Sequence, residues 1–265
     1  MRYALAAIAI VFTSVGPASS APPLTKTPGE LRVALAMPSA GFQVGAVRGR
    51  DVVLARGFEI DLARALAKRL GIPRVRFVNE PLLSTLLKAG PTDWDFALAQ
   101  ISVTPERAKR VDFSTPYFQA DQGVLVRRGL APKPSSIADL RKLQLCAERT
   151  STGGLLVVRQ IKPEKKPLLL LNPSKLSYEL FTGRCDAVVF DAPALAVLRR
   201  QAPDRYGPLV GRIVTGERYA AAFEQASPLR KRVNAVLTQL TKDGTLERLR
   251  KRWLGTDTSA LPVVR

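Results

Sequence analysis

The sequence predicts an α/β protein built from two lobes. Short apolar runs of strand length alternate along the chain with segments whose apolar residues recur at helical spacing. The alternation runs through the first half, is interrupted by the proline-rich stretch 131–134, and starts again after it. Repeats of strand and helix are typical of sheets that are covered by helices. With 265 residues, the chain is long enough for two small domains.

The first lobe is predicted to contain three strands and two helices. The strands are expected at 31–35, 75–78 and 96–99. The longer helix is expected over 57–70, because Leu62 and Leu66 lie one turn apart and Gly71 is a typical helix end. A shorter helix is expected over 83–87, where leucines recur.

The second lobe is predicted to repeat this pattern. Its strands are expected at 123–126, 143–147, 168–171 and 187–190. A capping-box pattern starting at Ser136 and an apolar face over 173–182 indicate helices between the strands. A strand at 219–223 and two more helices over 228–253 follow, and residues 256–265 are expected to be frayed.

The N-terminus has the pattern of a secretory signal. Arg2 supplies a positive charge, residues 4–12 form a short apolar run, and small residues precede Ala21. The apolar run is too short to span a membrane. We therefore expect residues 1–20 to be a signal peptide that is removed, and the mature protein to be exported and soluble.

The chain is strongly basic, with a formal net charge of +19. Loss of Arg2 with the signal leaves 19 minus 1, or +18. Such a charge is compatible with nucleic acid, an anionic membrane surface or acidic ligands. The basic clusters 230–232 and 250–252 lie in amphipathic helical patterns, which favours solvated faces. Sparse aromatic residues and the export signal argue against a nucleic-acid partner.

The residue types that are missing exclude several kinds of chemistry. The chain has no histidine and two cysteines. The absence of histidine removes Ser-His-Asp and Cys-His catalysis and histidine metal sites, and two cysteines cannot close a zinc site alone. No phosphate-binding loop of the Gly-x-x-x-x-Gly-Lys-Ser/Thr type occurs. We therefore expect neither a metal nor a cofactor.

The stretch 99–107 has the features of a site for a carboxylate. An apolar run at 95–98 ends in a helix start with Thr104 as the N-cap. Unpaired backbone N–H groups at such a point attract anions. Arg107 adds a guanidinium suited to a carboxylate, and Ser102 adds a hydroxyl. The alternative is a capped surface turn with a solvated arginine.

The segments 57–62 and 113–117 extend this pattern. Together with 99–107, they give the chain a combination of motifs that resembles the family-3 extracellular solute-binding proteins, the periplasmic amino-acid-binding components of ABC importers. The resemblance covers about residues 31–255. It implies a periplasmic-binding-protein type II fold, an α/β fold in which two crossing strands join the lobes.

The resemblance also implies the organisation and the partners of the protein. Lobe one would comprise residues 28–124 and 219–256, and lobe two residues 125–218. The protein would be a periplasmic monomer rather than an enzyme. It would capture a polar amino acid or a close relative and deliver it to an ABC permease in the inner membrane.

Three residues of lobe one match ligand positions of the family. Arg107 and Ser102 would hold the carboxylate of the amino acid. Gln100 stands where the family usually has glycine or serine in contact with the amino group. The glutamine either contributes its amide to the ligand or narrows the pocket.

Three residues of lobe two match further ligand positions. Thr152 lies in a turn whose N–H groups would meet the carboxylate, and it could equally serve as an N-cap. Asp191 would pair with the α-ammonium group, with an N-cap role as the alternative. Glu148 is either an acid that faces the ligand's side chain or a solvated residue.

The resemblance also bears on the cysteines and on catalysis. Cys146 and Cys185 would lie in the same sheet of lobe two, within bridging range, so a disulfide is expected; the alternative is two buried thiols. Cyclohexadienyl dehydratases share the fold and act on arogenate or prephenate. Glu148 is the candidate acid for such a reaction. A ligand-sensing module of a receptor is a third possibility, without support from an attached signalling domain.

Overall fold

The computed structural model describes residues 23–255 and 257–265, so the predicted signal at 1–20 lies outside the described residues. The strands are β1 (Glu30–Leu35), β2 (Val44–Arg48), β3 (Asp51–Arg56), β4 (Arg74–Asn79), β5 (Phe96–Ala97), β6 (Asp112–Phe113), β7 (Phe118–Arg127), β8 (Leu145–Glu148), β9 (Leu168–Leu170), β10 (Ala187–Asp191), β11 (Tyr206–Tyr219) and β12 (Ala222–Phe223). The α-helices are α1 (Phe58–Leu70), α2 (Leu83–Leu86), α3 (Pro105–Ala108), α4 (Ile137–Arg141), α5 (Thr152–Leu156), α6 (Leu176–Phe181), α7 (Ala192–Gln201), α8 (Pro228–Lys242) and α9 (Thr245–Trp253). Within these residues, no helix combines the length and the apolar character that a membrane crossing requires.

Lobe one is organised around a seven-stranded sheet with the order β2-β3-β4-β1-β5-β12-β6. The central strand β1 runs parallel to β4 and to β5. Helix α1 buries Ile60, Leu62 and Leu66 in the core of this lobe. It ends at Gly71, as the sequence predicts; the backbone of Gly71 is left-handed (φ 71°), and its N–H donates to carbonyl groups of the last helical turn. The same core contains residues of α8.

Lobe two is organised around a five-stranded sheet with the order β11-β7-β10-β8-β9. Strand β10 is parallel to β8 and antiparallel to β7. Cys146 on β8 and Cys185, two residues before β10, form a disulfide with a Cα–Cα distance of 5.9 Å. The predicted disulfide is therefore confirmed. It closes a loop of 39 residues, which by chain entropy stabilises the fold by about 4 kcal/mol.

The chain passes between the sheets on β7 and β11, which pair antiparallel with each other. At the crossing, the Tyr117 N–H donates to the Tyr219 carbonyl over 2.9 Å. The Val103 N–H donates to the Arg218 carbonyl over 2.9 Å, so the end of β11 also lies against the stretch after β5. The two-lobed α/β architecture agrees with the sequence prediction, whereas the exact lobe boundaries at 124/125 and 218/219 remain a prediction.

Three predicted features of lobe one and the crossing differ from the structure. Strands β2 and β3 form a hairpin before β4, in a segment where no strand was predicted. The strand expected at 96–99 is limited to Phe96–Ala97, because the backbone turns away at Gln100 with a positive φ of 51°. The strand expected at 219–223 is divided between the 14-residue β11 and the short β12.

The C-terminal residues 257–265 are ordered against lobe two, so the expectation that they are frayed is wrong. Val264 is 3% exposed and belongs to the core of lobe two. Its N–H donates to the Arg212 carbonyl over 2.8 Å, and the Ile137 N–H donates to the Arg265 carbonyl over 2.8 Å. The chain therefore returns to lobe two after α9, whose Trp253 packs on the core of lobe one.

Candidate functional site

A cavity of about 320 Å³ lies in the cleft between the two sheets. Its walls include all six residues that the sequence predicts as ligand contacts: Gln100, Ser102, Arg107, Glu148, Thr152 and Asp191. Three of them come from lobe one and three from lobe two. The structure therefore brings together the residues that the sequence singles out at separate motifs.

Arg107 enters the cleft from lobe one on the short helix α3. Thr104 caps this helix as predicted, because its hydroxyl accepts a hydrogen bond from the Arg107 N–H over 3.2 Å. The guanidinium donates from Nη1 to the Ser102 carbonyl (2.9 Å) and from Nη2 to the Thr150 carbonyl (3.4 Å). Among the described residues, no carboxylate lies within 4.0 Å of it. The guanidinium is therefore fixed in direction by neutral acceptors and keeps capacity for an anion.

The charge of Arg107 is retained despite its surroundings. Burial lowers the pKa of the guanidinium, while attraction from Glu217, Asp191 and Glu148 acts against that change. An arginine remains protonated under such conditions. Because Arg107 also lines the cavity, the alternative of a solvated arginine on a surface turn does not describe it.

Ser102 and Thr152 meet at a residue that the sequence analysis missed. Both hydroxyls donate to Oε2 of Glu217, each over 2.6 Å. The other oxygen of Glu217 accepts hydrogen bonds from Gln122 (2.9 Å) and Thr215 (3.0 Å). Glu217 lies in the part of β11 before Tyr219, where no strand was predicted, so its place beside the cleft had no signal in the sequence pattern.

The N-cap of α5 is Ser151 and not Thr152. The Ser151 hydroxyl accepts a hydrogen bond from the Gly154 N–H over 2.9 Å. Thr152 is the first residue of the helix, and its hydroxyl is therefore free to point toward Glu217. Gly153, the next residue, lies so close to Gln122 that a Cβ atom at this position would clash with Oε1 of Gln122.

Asp191 ends β10 and is buried at the wall of the cavity. Its Oδ1 accepts a hydrogen bond from Gln122 Nε2 (2.8 Å), and its Oδ2 accepts one from the Tyr219 hydroxyl (2.6 Å). Its side chain makes no capping hydrogen bond to α7, so the alternative N-cap role is not observed. Burial, with repulsion from Glu217 as the next cause, raises the pKa of Asp191 to about 7.

Gln100 occupies a constrained position at the floor of the cleft. Its backbone has a φ of 51°, a region that glycine adopts without cost. Its N–H donates to Oε1 of Glu59 over 2.7 Å, and its Oε1 accepts a hydrogen bond from Ser39. Within the described part of the chain, its Nε2 is buried and has no partner. Both predicted alternatives, an amide contact with the ligand and a narrower pocket, are compatible with this arrangement.

Glu148 is the last residue of β8 and is 7% exposed, so the solvated alternative is wrong. Its Oε1 accepts a hydrogen bond from the Thr150 hydroxyl over 2.8 Å. Burial raises the pKa of its carboxyl, while the Thr150 hydrogen bond and the charge of Arg107 act in the other direction. The structure therefore places a second acid of lobe two at the cavity.

Ser151, Ser174, Ser177 and Gln201 also line the cavity on the side of lobe two, and the rest of the wall there is apolar. It is formed by side chains of β7, α6, β10 and α7, among them Leu125, Leu176, Leu180, Val188, Phe190 and Leu195. The cavity thus combines one arginine, two lining acids and several hydroxyl and amide groups with an apolar arm. Such a combination is typical of a site for a small polar ligand with an aliphatic part.

Comparison with known proteins identifies the class to which this site belongs. Residues 46–256 match the family model of bacterial extracellular solute-binding proteins, family 3. The chain therefore belongs to this family, which confirms the resemblance inferred from its motifs.

Individual relatives agree with this membership. The chain is 33% identical over 208 residues to the ABC transporter glutamine-binding protein GlnH of Bacillus subtilis (strain 168), covering 76% of this chain and 73% of that protein. An ancestral arginine-binding protein bound to glutamine superposes with a TM-score of 0.74 at 31% identity, covering 87% and 100% of the two chains. The predicted type II fold is therefore confirmed.

A third relative bears on the enzymatic alternative. It is an ancestral amino acid-binding protein described as a precursor of cyclohexadienyl dehydratase. It superposes with a TM-score of 0.73 at 31% identity, covering 85% of this chain and 96% of that one.

Proposed function

We propose that this protein binds a free amino acid in the cleft and delivers it to an ABC permease. The observation that carries the proposal is the pair formed by Arg107 and Asp191. Arg107 is a cation on lobe one with no carboxylate partner among the described residues, and Asp191 is a buried acid on lobe two; both line the same cavity. A zwitterionic amino acid has the complementary charges in one molecule.

The proposed binding mode follows from the groups that already hold these two side chains. Arg107 would receive the α-carboxylate, because the Ser102 and Thr150 carbonyls aim its guanidinium without neutralising it. Asp191 would receive the α-ammonium group, because Gln122 and Tyr219 fix both of its oxygens. The hydroxyls of Ser102 and Thr152 and the free amide of Gln100 would add polar contacts.

Closure of the cleft is part of the proposal. Since the two charged contacts belong to different lobes, a ligand completes both of them only when the lobes are close together. Ligand binding would therefore favour the closed form. The closed form would then dock on a permease of the inner membrane, consistent with the ABC transporter to which the relative GlnH belongs.

We further propose that the mature protein acts as a periplasmic monomer. The secretory pattern of residues 1–20 and the extracellular character of the family support the location.

We propose that the protein is a binding protein and not an enzyme. The opposing candidate is a cyclohexadienyl dehydratase, which Glu148 favours because it is a buried acid with a raised pKa at the cavity. Incubation with arogenate distinguishes the two. Absence of phenylalanine over long incubation supports binding alone, whereas phenylalanine formation that is lost in Glu148→Gln supports the enzyme.

The proposed binding is tested by native mass spectrometry of the purified protein, followed by a thermal-shift screen of the amino acids. An amino acid at 100 times its dissociation constant should add about 2.7 kcal/mol to the free energy of unfolding. Arg107→Ala should abolish the shift, and Arg110→Ala, an exposed arginine close to it in the chain, should leave it unchanged. A screen without any shift, together with a protein that carries no ligand, would contradict the proposal.

A further inference from the structure

We propose that the bound amino acid has a positively charged side chain, and that Glu148 is the counter-ion of that side chain. This inference rests on the proposed function, since it concerns the part of the ligand beyond its α-carboxylate and α-ammonium groups. It follows from the charges around the cleft, from the free capacity of Glu148 and from the shape of the cavity.

The groups around the cleft carry an excess of negative charge. The carboxylates are Glu148, Asp191 and Glu217, and the cation that attracts all three is Arg107. Within residues 23–255 and 257–265, no lysine or arginine nitrogen lies within 4.0 Å of any of these carboxylates. This local excess of negative charge contrasts with the positive formal charge of the whole chain, which is +19.

A neutral zwitterion leaves this excess in place. Its carboxylate would offset Arg107 and its ammonium would offset Asp191, so two acids would remain without a countercharge in a closed cleft. Buried charges without a partner are costly. A ligand with a second positive group offsets one of these two acids, whereas a ligand with an acidic side chain adds a further negative charge without a partner.

Glu148 has the capacity to receive such a group, and Glu217 has much less. Glu217 accepts four hydrogen bonds, two at each oxygen. From the described residues, Glu148 accepts one side-chain hydrogen bond, donated by Thr150 to Oε1, and it lines the cavity. Its second oxygen is therefore available to a donor on the ligand. Glu217 contributes its charge but is held away from direct contact.

The apolar wall fits the body of a long cationic side chain. Leu125, Val188 and Phe190 line the same cavity as Glu148. Arginine and lysine side chains place their methylene groups on apolar surface while the charged end reaches a polar partner. A short polar side chain would leave the apolar arm unfilled.

A neutral amide side chain is the main competing ligand, because it too can donate a hydrogen bond to Glu148. Arginine and citrulline separate these cases, since the two have nearly the same shape and differ in the charge of the terminal group. Isothermal titration calorimetry of the full mature protein would measure both, with lysine and glutamine as a second pair. The variants are Glu148→Gln and, as a matched control, Glu164→Gln at an exposed site of the same lobe.

We expect arginine or lysine to bind at least tenfold more tightly than citrulline or glutamine. In Glu148→Gln this ratio should fall about tenfold or more, because a contact between charged groups is replaced by a neutral one. Glu164→Gln should keep the ratio of the unchanged protein. Circular dichroism of each variant without ligand checks that it is folded.

The outcomes separate the inference from the proposed function. Equal affinity for arginine and citrulline in the unchanged protein, or a ratio that Glu148→Gln leaves intact, overturns the inference. Binding of neutral amino acids alone overturns it while the proposed function stands. Absence of binding for every amino acid overturns both.

Discussion

Two buried carboxylates of this protein have the same kinds of hydrogen-bond partner but lie in different surroundings. Glu59 on α1 accepts hydrogen bonds from Gln43, from the Tyr117 hydroxyl and from the Gln100 N–H. Asp191 likewise accepts from a glutamine and a tyrosine, Gln122 and Tyr219. Burial raises the pKa of both. Asp191 lines the cavity, whereas Glu59 is fully enclosed behind it.

The comparison teaches that burial and a raised pKa do not by themselves identify a binding residue. Glu59 accepts a hydrogen bond from the Gln100 N–H. This bond connects α1 to the segment that precedes Arg107 and fixes the position of that segment. Asp191 has the same kind of support but faces a space that a ligand can enter. Free acceptor capacity toward a cavity distinguishes the two roles, and it requires the three-dimensional structure.

The largest expected effect is on stability, at Glu59. Glu59→Ala removes the acceptor of three hydrogen bonds, although Gln43 Nε2 keeps its bond to the Leu98 carbonyl, and each lost acceptor costs about 1–3 kcal/mol. We expect the free energy of unfolding in urea to fall by at least about 3 kcal/mol. The exposed surface acid Glu247 is the control, and Glu247→Ala should change it by less than about 0.5 kcal/mol. A small loss in Glu59→Ala would remove the structural role assigned to Glu59.

The next effect is on binding, at Asp191. Asp191→Asn keeps an oxygen for Gln122 or Tyr219 but removes the charge that the ammonium group requires. We expect the dissociation constant to rise about ten- to a hundredfold, with little change in stability. Asp204→Asn, at an exposed site, is the control.

Small-angle scattering adds a second measurement for the same variant. At saturating ligand, Asp191→Asn should keep the radius of gyration of the ligand-free protein, because the contact on lobe two is lost. Normal affinity and normal compaction would instead restrict Asp191 to a structural role like that of Glu59.

The pH dependence of binding separates the two acids further. The pKa of Asp191 is 3.8 in the unfolded chain and about 7 in the folded, ligand-free protein. Between these values the folded state holds a proton that the unfolded state has lost, so this group makes stability fall as pH rises and has no further effect above about 7. Ligand binding needs the ionised form, and affinity should therefore fall up to about tenfold per pH unit below that pKa.

Calorimetry in buffers of different ionisation enthalpy measures the proton released at pH 6. The charges around Asp191 are Arg107, which attracts it, and Glu217 and Glu148, which raise its pKa; the hydrogen-bond donors Tyr219 and Gln122 lower that pKa. Asp191→Asn should remove the contribution of Asp191 to the proton release that accompanies ligand binding. Glu59 also has a raised pKa and affects the pH dependence of stability, but it should release no proton when the ligand binds. An Asp191→Asn variant with unchanged proton release would contradict the assignment.

The smallest effect comes from the two tyrosines. Tyr117→Phe and Tyr219→Phe make the same chemical change beside Glu59 and Asp191. The first should lower the free energy of unfolding by about 1 kcal/mol without changing affinity. The second should weaken binding by about 1 kcal/mol, or roughly fivefold. If both variants alter stability and affinity alike, the distinction between the two networks does not hold.

The sequence predicts the parts of the site that depend on local signals. The cap at Thr104, the position of Arg107 and the end of β10 at Asp191 each follow from a few neighbouring residues. Two capping details were less accurate: Ser151 and not Thr152 caps α5, and the side chain of Asp191 makes no capping hydrogen bond.

The parts that could not be predicted depend on contacts between distant segments. Glu217 meets Ser102 across 115 positions of the chain and Thr152 across 65. Strand β11 carries irregular pairing with β7, so its apolar residues do not alternate cleanly. The hairpin of β2 and β3 is largely exposed and has a register shift. Its apolar and polar residues therefore do not show the clear alternation that predicts a strand.

The acidic cleft within a basic molecule has a consequence for the speed of capture. Salt confines the repulsion between a cationic solute and the mature chain, of formal charge 19 minus 1, or +18, to about the Debye length, which is about 8 Å at physiological ionic strength. Added salt therefore accelerates the association of the solute instead of slowing it. Selection among solutes then takes place after contact, in the lifetime of the complex, and the rate of encounter contributes little to it.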